Sequence, residues 1–154
     1  MAPAYVAVVG PGEPAAAELE HAEAIGRELA RAGVVLVTGG LGGVMSAACR
    51  GAASAGGLTV GLLPGQDRKA ANEWVTVALP TGLGELRNGL VVRAADAVIA
   101  VGGAYGTLSE IALALRTGVP VIGVRTWKID GVEEVTSAER AVQRALELAV
   151  QRAS

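Results

Sequence analysis

The residues with chemistry to offer gather at three glycine-bearing turns. In Thr38-Gly39-Gly40-Leu41-Gly42-Gly43-Val44-Met45, glycine fills four of the five positions that join a strand pattern to a helix pattern. Glycines there permit left-handed torsions and close approach, and they turn successive N–H groups toward one point at the positive end of the next helix. Such a turn binds an anion. The alternative is a tight connection whose glycines serve helix–sheet packing, and four glycines favour the phosphate reading. A Walker loop is excluded, because the G-K-[ST] ending is absent and both lysines, Lys69 and Lys128, lie elsewhere.

A second turn, Gly102-Gly103-Ala104-Tyr105-Gly106-Thr107-Leu108-Ser109-Glu110, again follows an apolar run and opens a helix. Thr107 and Glu110 stand in the S/T-x-x-E relation of a capping box, which gives Glu110 an ordinary structural role. A cap does not need the glycine run, so Glu110 remains a candidate for chemistry. At a helix N-terminus its carboxylate is expected to stay ionised. The third turn, Gly10-Pro11-Gly12-Glu13-Pro14-Ala15, fits G-x-G-x-x-A, but Pro11 and Pro14 remove two amide donors. The next strand ends in Val37-Thr38 where a dinucleotide site would carry an acid, which disfavours NAD; Gly10 stays as a ligand contact.

The chain that must hold these turns has 154 residues, 51% hydrophobic and 18% charged, and is read as one domain over 1–154. Aromatics are 3%, so Val, Leu, Ile and Ala must build the core. A net charge of −2 gives no basic footprint, and no nucleic-acid partner is expected. With Cys49 and His21 the only cysteine and histidine, there is no disulfide, no Ser-His-Asp or Cys-His nucleophile and no metal site built from those residues. Met1 to Gly10 lacks the pattern of a signal peptide and no apolar run reaches membrane-spanning length, which predicts a cytoplasmic protein with no membrane partner.

Short β-branched runs alternate with Ala/Leu-rich stretches, the pattern of βαβ units. Strands are expected at Tyr5–Val9, Val34–Val37, Leu58–Leu62, Val75–Leu79, Ala97–Val101 and Pro120–Val124. Their apolar residues run on without alternation, so both sheet faces must be covered. Helices are expected at Pro14–Ala32, Val44–Ala55, Gly84–Ala94, Thr107–Thr117 and Ser137–Ala153, with Gly65–Glu73 as an exposed loop. The fold class is α/β, a three-layer Rossmann-like doubly wound parallel sheet.

The turn at 102–110 resembles the P-G-G-x-G-T-x-x-E signature of the Lonely Guy (LOG) group, often mislabelled lysine decarboxylases, with Gly102 for the proline and Ala104 for the second glycine. Ala95-Asp96-Ala97-Val98-Ile99-Ala100-Val101 is similar to that family's S-D-A-F-I-A-L stretch, Arg87 stands in the place of its upstream arginine, and Gly43-Val44-Met45 closes a turn like its G-G-G-x-x-G-L-M. The substitutions, with Asn88 where a lysine is usual, point to the bacterial branch related to molybdenum-cofactor carriers.

The resemblance implies a homodimer or higher homo-oligomer that binds a nucleoside 5′-monophosphate and hydrolyses its N-glycosidic bond, releasing base and ribose 5-phosphate. Arg87 and Glu110 become the catalytic pair. Gly39, Gly40, Gly42, Gly43 and Met45 form the phosphate or nucleotide site together with Gly102, Gly103, Ala104, Tyr105, Gly106 and Thr107. Gly10 and Asn88 are further contacts, and no resident cofactor is called for. The alternative on the same scaffold is a non-catalytic nucleotide or molybdenum-cofactor carrier. An ionised Glu110 suits an oxocarbenium-like transition state, and Arg87 can hold phosphate or anchor Glu110. Neither can protonate the leaving base, which leaves Tyr105 or water. Neither lysine has a pyridoxal setting, so lysine decarboxylation is rejected. Trp127 is expected at an interface or the sheet edge, or stacked with Tyr105 on a base.

Overall fold

The computed structural model describes residues 2–153; Met1 and Ser154, the outer bounds of the expected domain, lie outside the described residues. Strands β1 (Tyr5–Val9), β2 (Val35–Thr38), β3 (Thr59–Leu63), β4 (Val77–Pro80), β5 (Ala97–Val101), β6 (Val121–Val124) and β7 (Val132–Glu134) alternate with helices α1 (Ala16–Arg31), α2 (Val44–Ser54), α3 (Arg87–Arg93), α4 (Tyr105–Arg116) and α5 (Ala138–Ala153). The strands form one sheet in the order β4-β3-β2-β1-β5-β6-β7, and every pairing is parallel. Side chains alternate across the two faces. Val6 and Val8 of β1 pack on one side with Ala22, Ile25 and Leu29 of α1 and Ala48 of α2, whereas Ala7 and Val9 pack on the other with Val91 of α3 and Ile111 of α4. The unbroken apolar runs have this cause: two helical layers need an apolar residue at every strand position. Each fully buried Val, Leu or Ile contributes roughly 1.5–3 kcal/mol.

Small residues set how closely the layers approach. A Cβ on Gly26 would lie 1.9 Å from Ala48 O, and one on Gly51 would lie 1.9 Å from Glu23 O, so α1 and α2 meet backbone to backbone. Beyond small shifts at element ends, the elements differ from the sequence pattern at several places, including a 3-10 turn, Arg68–Ala70, within the expected loop. A seventh strand, β7, extends the sheet edge. Gly84–Ala94 divides into a 3-10 turn, Gly84–Leu86, and α3. Helix α4 starts at Tyr105 rather than Thr107, because Ala104 in extended backbone is its N-cap and Leu108 N–H already bonds Ala104 O at 2.9 Å. No helix among the described residues is long and apolar enough to cross a membrane.

Candidate functional site

The strand order runs one way from β1 through β2 to β4 and the other way through β5, so a crevice must open beyond the carboxyl ends of β1 and β5. A cleft of about 240 Å³ lies there, lined by residues of all three glycine turns and of α3. Val8, Val9 and Gly10 form its base at the end of β1, with Pro11 and Gly12 beside them. From the second turn come Gly39 and Met45; from α3, Arg87 and Asn88; from the turn into α4, Ala104, Gly106, Thr107 and Glu110.

The remaining glycines hold the turns together. Gly40, at φ 78°, donates its N–H to Thr38 Oγ1 at 3.0 Å, and its carbonyl accepts from Asn72 N–H at 2.9 Å. Gly43, at φ 68°, lies so close to the first turn that a Cβ would stand 2.4 Å from Pro11 O. The same carbonyl accepts Val44 N–H at 3.1 Å. A Cβ on Gly42 would meet nothing within 4 Å. Gly40, Gly42, Gly43, Gly102, Gly103 and Tyr105 are not in the cleft lining. Tyr105, 84% exposed, stacks on Trp127 with ring centroids 6.2 Å apart. Trp127 donates its indole N–H to Ala104 O at 3.1 Å, fixing the turn into α4 from outside. Within the chain, this tryptophan holds the site's own loop.

Arg87 opens α3 and is only 9% exposed. Its Nη2 donates to Gly39 O at 3.3 Å, and its Nη1 donates to Asn88 Oδ1. Its Nε is buried without a partner, as is Thr107 Oγ1. Thr107 is therefore not a helix cap. Because the N-cap of α4 lies three residues earlier than the capping pattern suggests, Glu110 sits in the second turn, 8% exposed. Burial pushes its carboxyl up to about 7, opposed by the nearby Arg87 charge. That corrects the expectation of a fully ionised carboxylate. Burial lowers Arg87 in turn, with Glu110 opposing. No ion pair within 4.0 Å joins the two among the described residues. They share the cleft instead of neutralising each other.

The amides of Tyr105, Gly106 and Thr107 precede the first bond of α4, from Leu108 N–H to Ala104 O, and so have no carbonyl one turn back. With the helix dipole behind them they present partial positive charge at the cleft. Sequence reasoning missed Val8, Val9, Pro11 and Gly12 as lining residues, although the G-x-G-x-x-A turn marked their position. The contribution of Trp127 carries no local signal, since its bond reaches across 23 positions of chain.

Gly102 separates this turn from the LOG signature. Its φ is 74°, whereas a proline is held near −65° and cannot take that conformation. Ala104, at φ −139°, is in extended backbone open to any residue, so the second departure costs nothing.

Fold and cleft together define a Rossmann-like α/β protein with a polar crevice at its switch point. The chain belongs to the SLOG cluster4 family, whose model matches residues 3–151. It is 38% identical over 146 residues to an uncharacterized protein of Archaeoglobus fulgidus, covering 94% of this chain and 96% of that one. Among solved structures it is similar to the molybdenum cofactor binding protein of Rippkaea orientalis, with 36% identity, a TM-score of 0.92, and coverage of 96% and 98% of the two chains. It is also similar to the molybdenum cofactor carrier protein of Chlamydomonas reinhardtii, with 31% identity, a TM-score of 0.88, and coverage of 97% and 99%.

Proposed function

We propose that this protein binds a phosphate-bearing small molecule in the cleft above β1 and β5 and carries it intact, a pterin phosphomonoester of the molybdenum-cofactor class being the cargo. One observation carries the reading: Arg87 and Thr107 line one cleft, and each has a buried polar atom, Nε and Oγ1, without a protein partner. An unsatisfied buried donor costs about 1–3 kcal/mol, and a bound oxyanion would satisfy both. The α4 amides of Gly106 and Thr107 add two further donors. At about 240 Å³ the cleft falls below the roughly 300–1,000 Å³ of pockets that enclose a drug-sized ligand. It suits the anionic end of a cargo whose remainder stays outside. The similarity to a cofactor binder and a cofactor carrier supports the choice of cargo, and the Gly102 conformation argues against carrying over the LOG reaction as it stands.

Hydrolysis of a nucleoside monophosphate is the second reading, and one observation favours it. A carboxyl pushed up to about 7 can be protonated at neutral pH, so Glu110 could supply the acid that base departure needs. Tyr105 lies outside the cleft lining, in a neighbouring pocket that shares Asn88 and Gly106 with it, so Glu110 is the nearer donor. In both readings residues 1–154 act as one domain, and the homodimer rests on the resemblance. The decisive experiment incubates the protein with a pterin phosphomonoester and separately with AMP, follows Tm and affinity, and separates the products by chromatography. A carrier returns its ligand unchanged and prefers the pterin; free base released from AMP, and lost in E110Q, would instead establish the hydrolase.

A further inference from the structure

Beyond β6 the chain makes a turn that the cleft does not explain. Arg125 has φ 55°, the one positive value on a non-glycine residue among the described residues. A long L side chain crowds its own backbone there, and such strain persists where the surroundings use the side chain's direction. The next residue, Thr126, places its methyl where a side chain on Gly123 would go, since a Cβ on Gly123 would lie 2.6 Å from Thr126 Cγ2. Its Oγ1 is buried with no hydrogen-bond partner.

A cavity of about 340 Å³ opens at this turn, lined by Arg125, Thr126 and Lys128, by His21 of α1, and by Glu134 and Thr136 at and beyond the end of β7. It shares no lining residue with the cleft. Neither Arg125 nor Lys128 enters an ion pair among the described residues. Glu134 is the single carboxylate on the wall, so the lining carries a cationic excess even with His21 neutral. The loop divides its side chains between two sites: Trp127 reaches Ala104 at the edge of the cleft, while the residues on either side of it line the second cavity.

We propose that this cavity is a second anion site, taking a tetrahedral oxyanion between Arg125 and Lys128 with the Thr126 hydroxyl donating to it. The oxyanion is either inorganic or the phosphoryl end of a larger molecule. Arg and Lys supply charge-assisted donors, and the orphaned hydroxyl gains the acceptor it lacks. The strained backbone at Arg125 serves the direction of the guanidinium, because glycine would adopt the same turn without strain. Since Trp127 lies within the loop, its indole reports occupancy.

Inorganic phosphate, and in a separate series phenyl phosphate, would be titrated into the whole protein while indole fluorescence and Tm are followed. A saturable change and a Tm rise are expected with at least one of them. Saturation by inorganic phosphate identifies the free ion as sufficient; saturation by phenyl phosphate alone identifies a phosphoryl group on a larger ligand. The response should survive in R87Q, which disables the cleft, and weaken about tenfold or more in the R125Q/K128Q double variant. R125G should leave the Tm without phosphate unchanged or raised and abolish the phosphate-dependent rise. The proposal fails if neither anion saturates, if R87Q removes the response, if the double variant titrates like the unmodified protein, or if R125G lowers the Tm yet keeps the response.

Discussion

Gly39 and Arg87 occupy one space: a Cβ on residue 39 would stand 2.6 Å from Arg87 Nη2, the atom that donates to Gly39 O at 3.3 Å. The missing side chain leaves the space that the guanidinium fills against the second turn. Gly39→Ala should therefore displace Arg87, weaken phosphate binding by about tenfold and cost roughly 1–3 kcal/mol of stability through overpacking. Gly42→Ala is the matched control, because its Cβ would meet nothing within 4 Å. Calorimetric titration with a phosphomonoester and urea unfolding of both variants separate the two effects. Equal affinities in G39A and G42A would show that Arg87 does not touch the ligand.

Glu110 makes stability and binding depend on pH. Its carboxyl is raised from 4.5 to about 7 by burial, with Arg87 opposing. Between those values the folded state holds a proton that the unfolded state has released, so stability is highest at the acid side and falls as pH rises toward 7. The loss is on the order of 3 kcal/mol and is complete above pH 7. Glu110→Gln should flatten that slope and make the protein more stable than the unmodified chain at pH 8. An anionic ligand should also bind more weakly above pH 7, where a charged carboxylate faces it, and E110Q should lose that dependence. Urea midpoints and affinities measured at pH 5, 6, 7 and 8 test both; parallel slopes in the two proteins would remove Glu110 from the account.

The sheet was legible because burial on both faces leaves a plain trace, the unbroken Val-Ala-Val-Val of β1 and Ala-Val-Ile-Ala-Val of β5. All six expected strands form, with bounds shifted by a residue or two. β7 was not legible: its three residues, Val132–Glu134, include two glutamates and are partly exposed at the sheet edge, so no apolar run marks it. The meeting of the three turns follows from the strand order, which places β1 between β2 and β5. What misled was local. Thr107 and Glu110 have the types and spacing of a capping box, but an alanine two positions before the first glycine of α4 starts the helix sooner. With that start Glu110 lies in the second turn, where burial pushes its carboxyl up. Capping patterns describe a helix end in isolation, and here the cap residue is also held by a tertiary bond, from the Trp127 indole to Ala104 O.

Trp127 should act on the cleft without touching its contents. Its N–H holds Ala104 O at 3.1 Å, and its ring stacks on Tyr105. Trp127→Phe keeps an aromatic partner for Tyr105 and loses the hydrogen bond. Affinity for a phosphomonoester should fall severalfold, while stability changes by about 0.5–1.5 kcal/mol, the value of one net hydrogen bond. Trp127→Ala should lose the stacking as well and weaken binding further. Hydrogen exchange at Leu108 N–H, which bonds the same Ala104 carbonyl, provides the direct measurement: faster exchange in W127F with the sheet unchanged supports the prediction, and unchanged exchange refutes it.

Gly102 decides whether this turn can adopt the LOG conformation. At φ 74° the residue lies in the left-handed region, and a Cβ there would come within 2.1 Å of Glu18 Oε2. Glu18 cannot move aside without loss, because its other carboxylate oxygen accepts Ala15 N–H at 3.0 Å and holds the start of α1. Gly102→Ala should cost 1–3 kcal/mol through strain and crowding. Gly102→Pro, which restores the residue of the LOG signature, should cost about 3 kcal/mol or more, since proline cannot reach positive φ and also removes the N–H that bonds Val124 O at 3.1 Å. If G102P instead folds with an unchanged Tm and releases base from AMP, the turn can switch to the form implied by the LOG resemblance, and the distinction between carrier and hydrolase rests on that one residue. If it unfolds while G102A still binds phosphate, the glycine belongs to a turn built for holding a ligand in this family's own geometry.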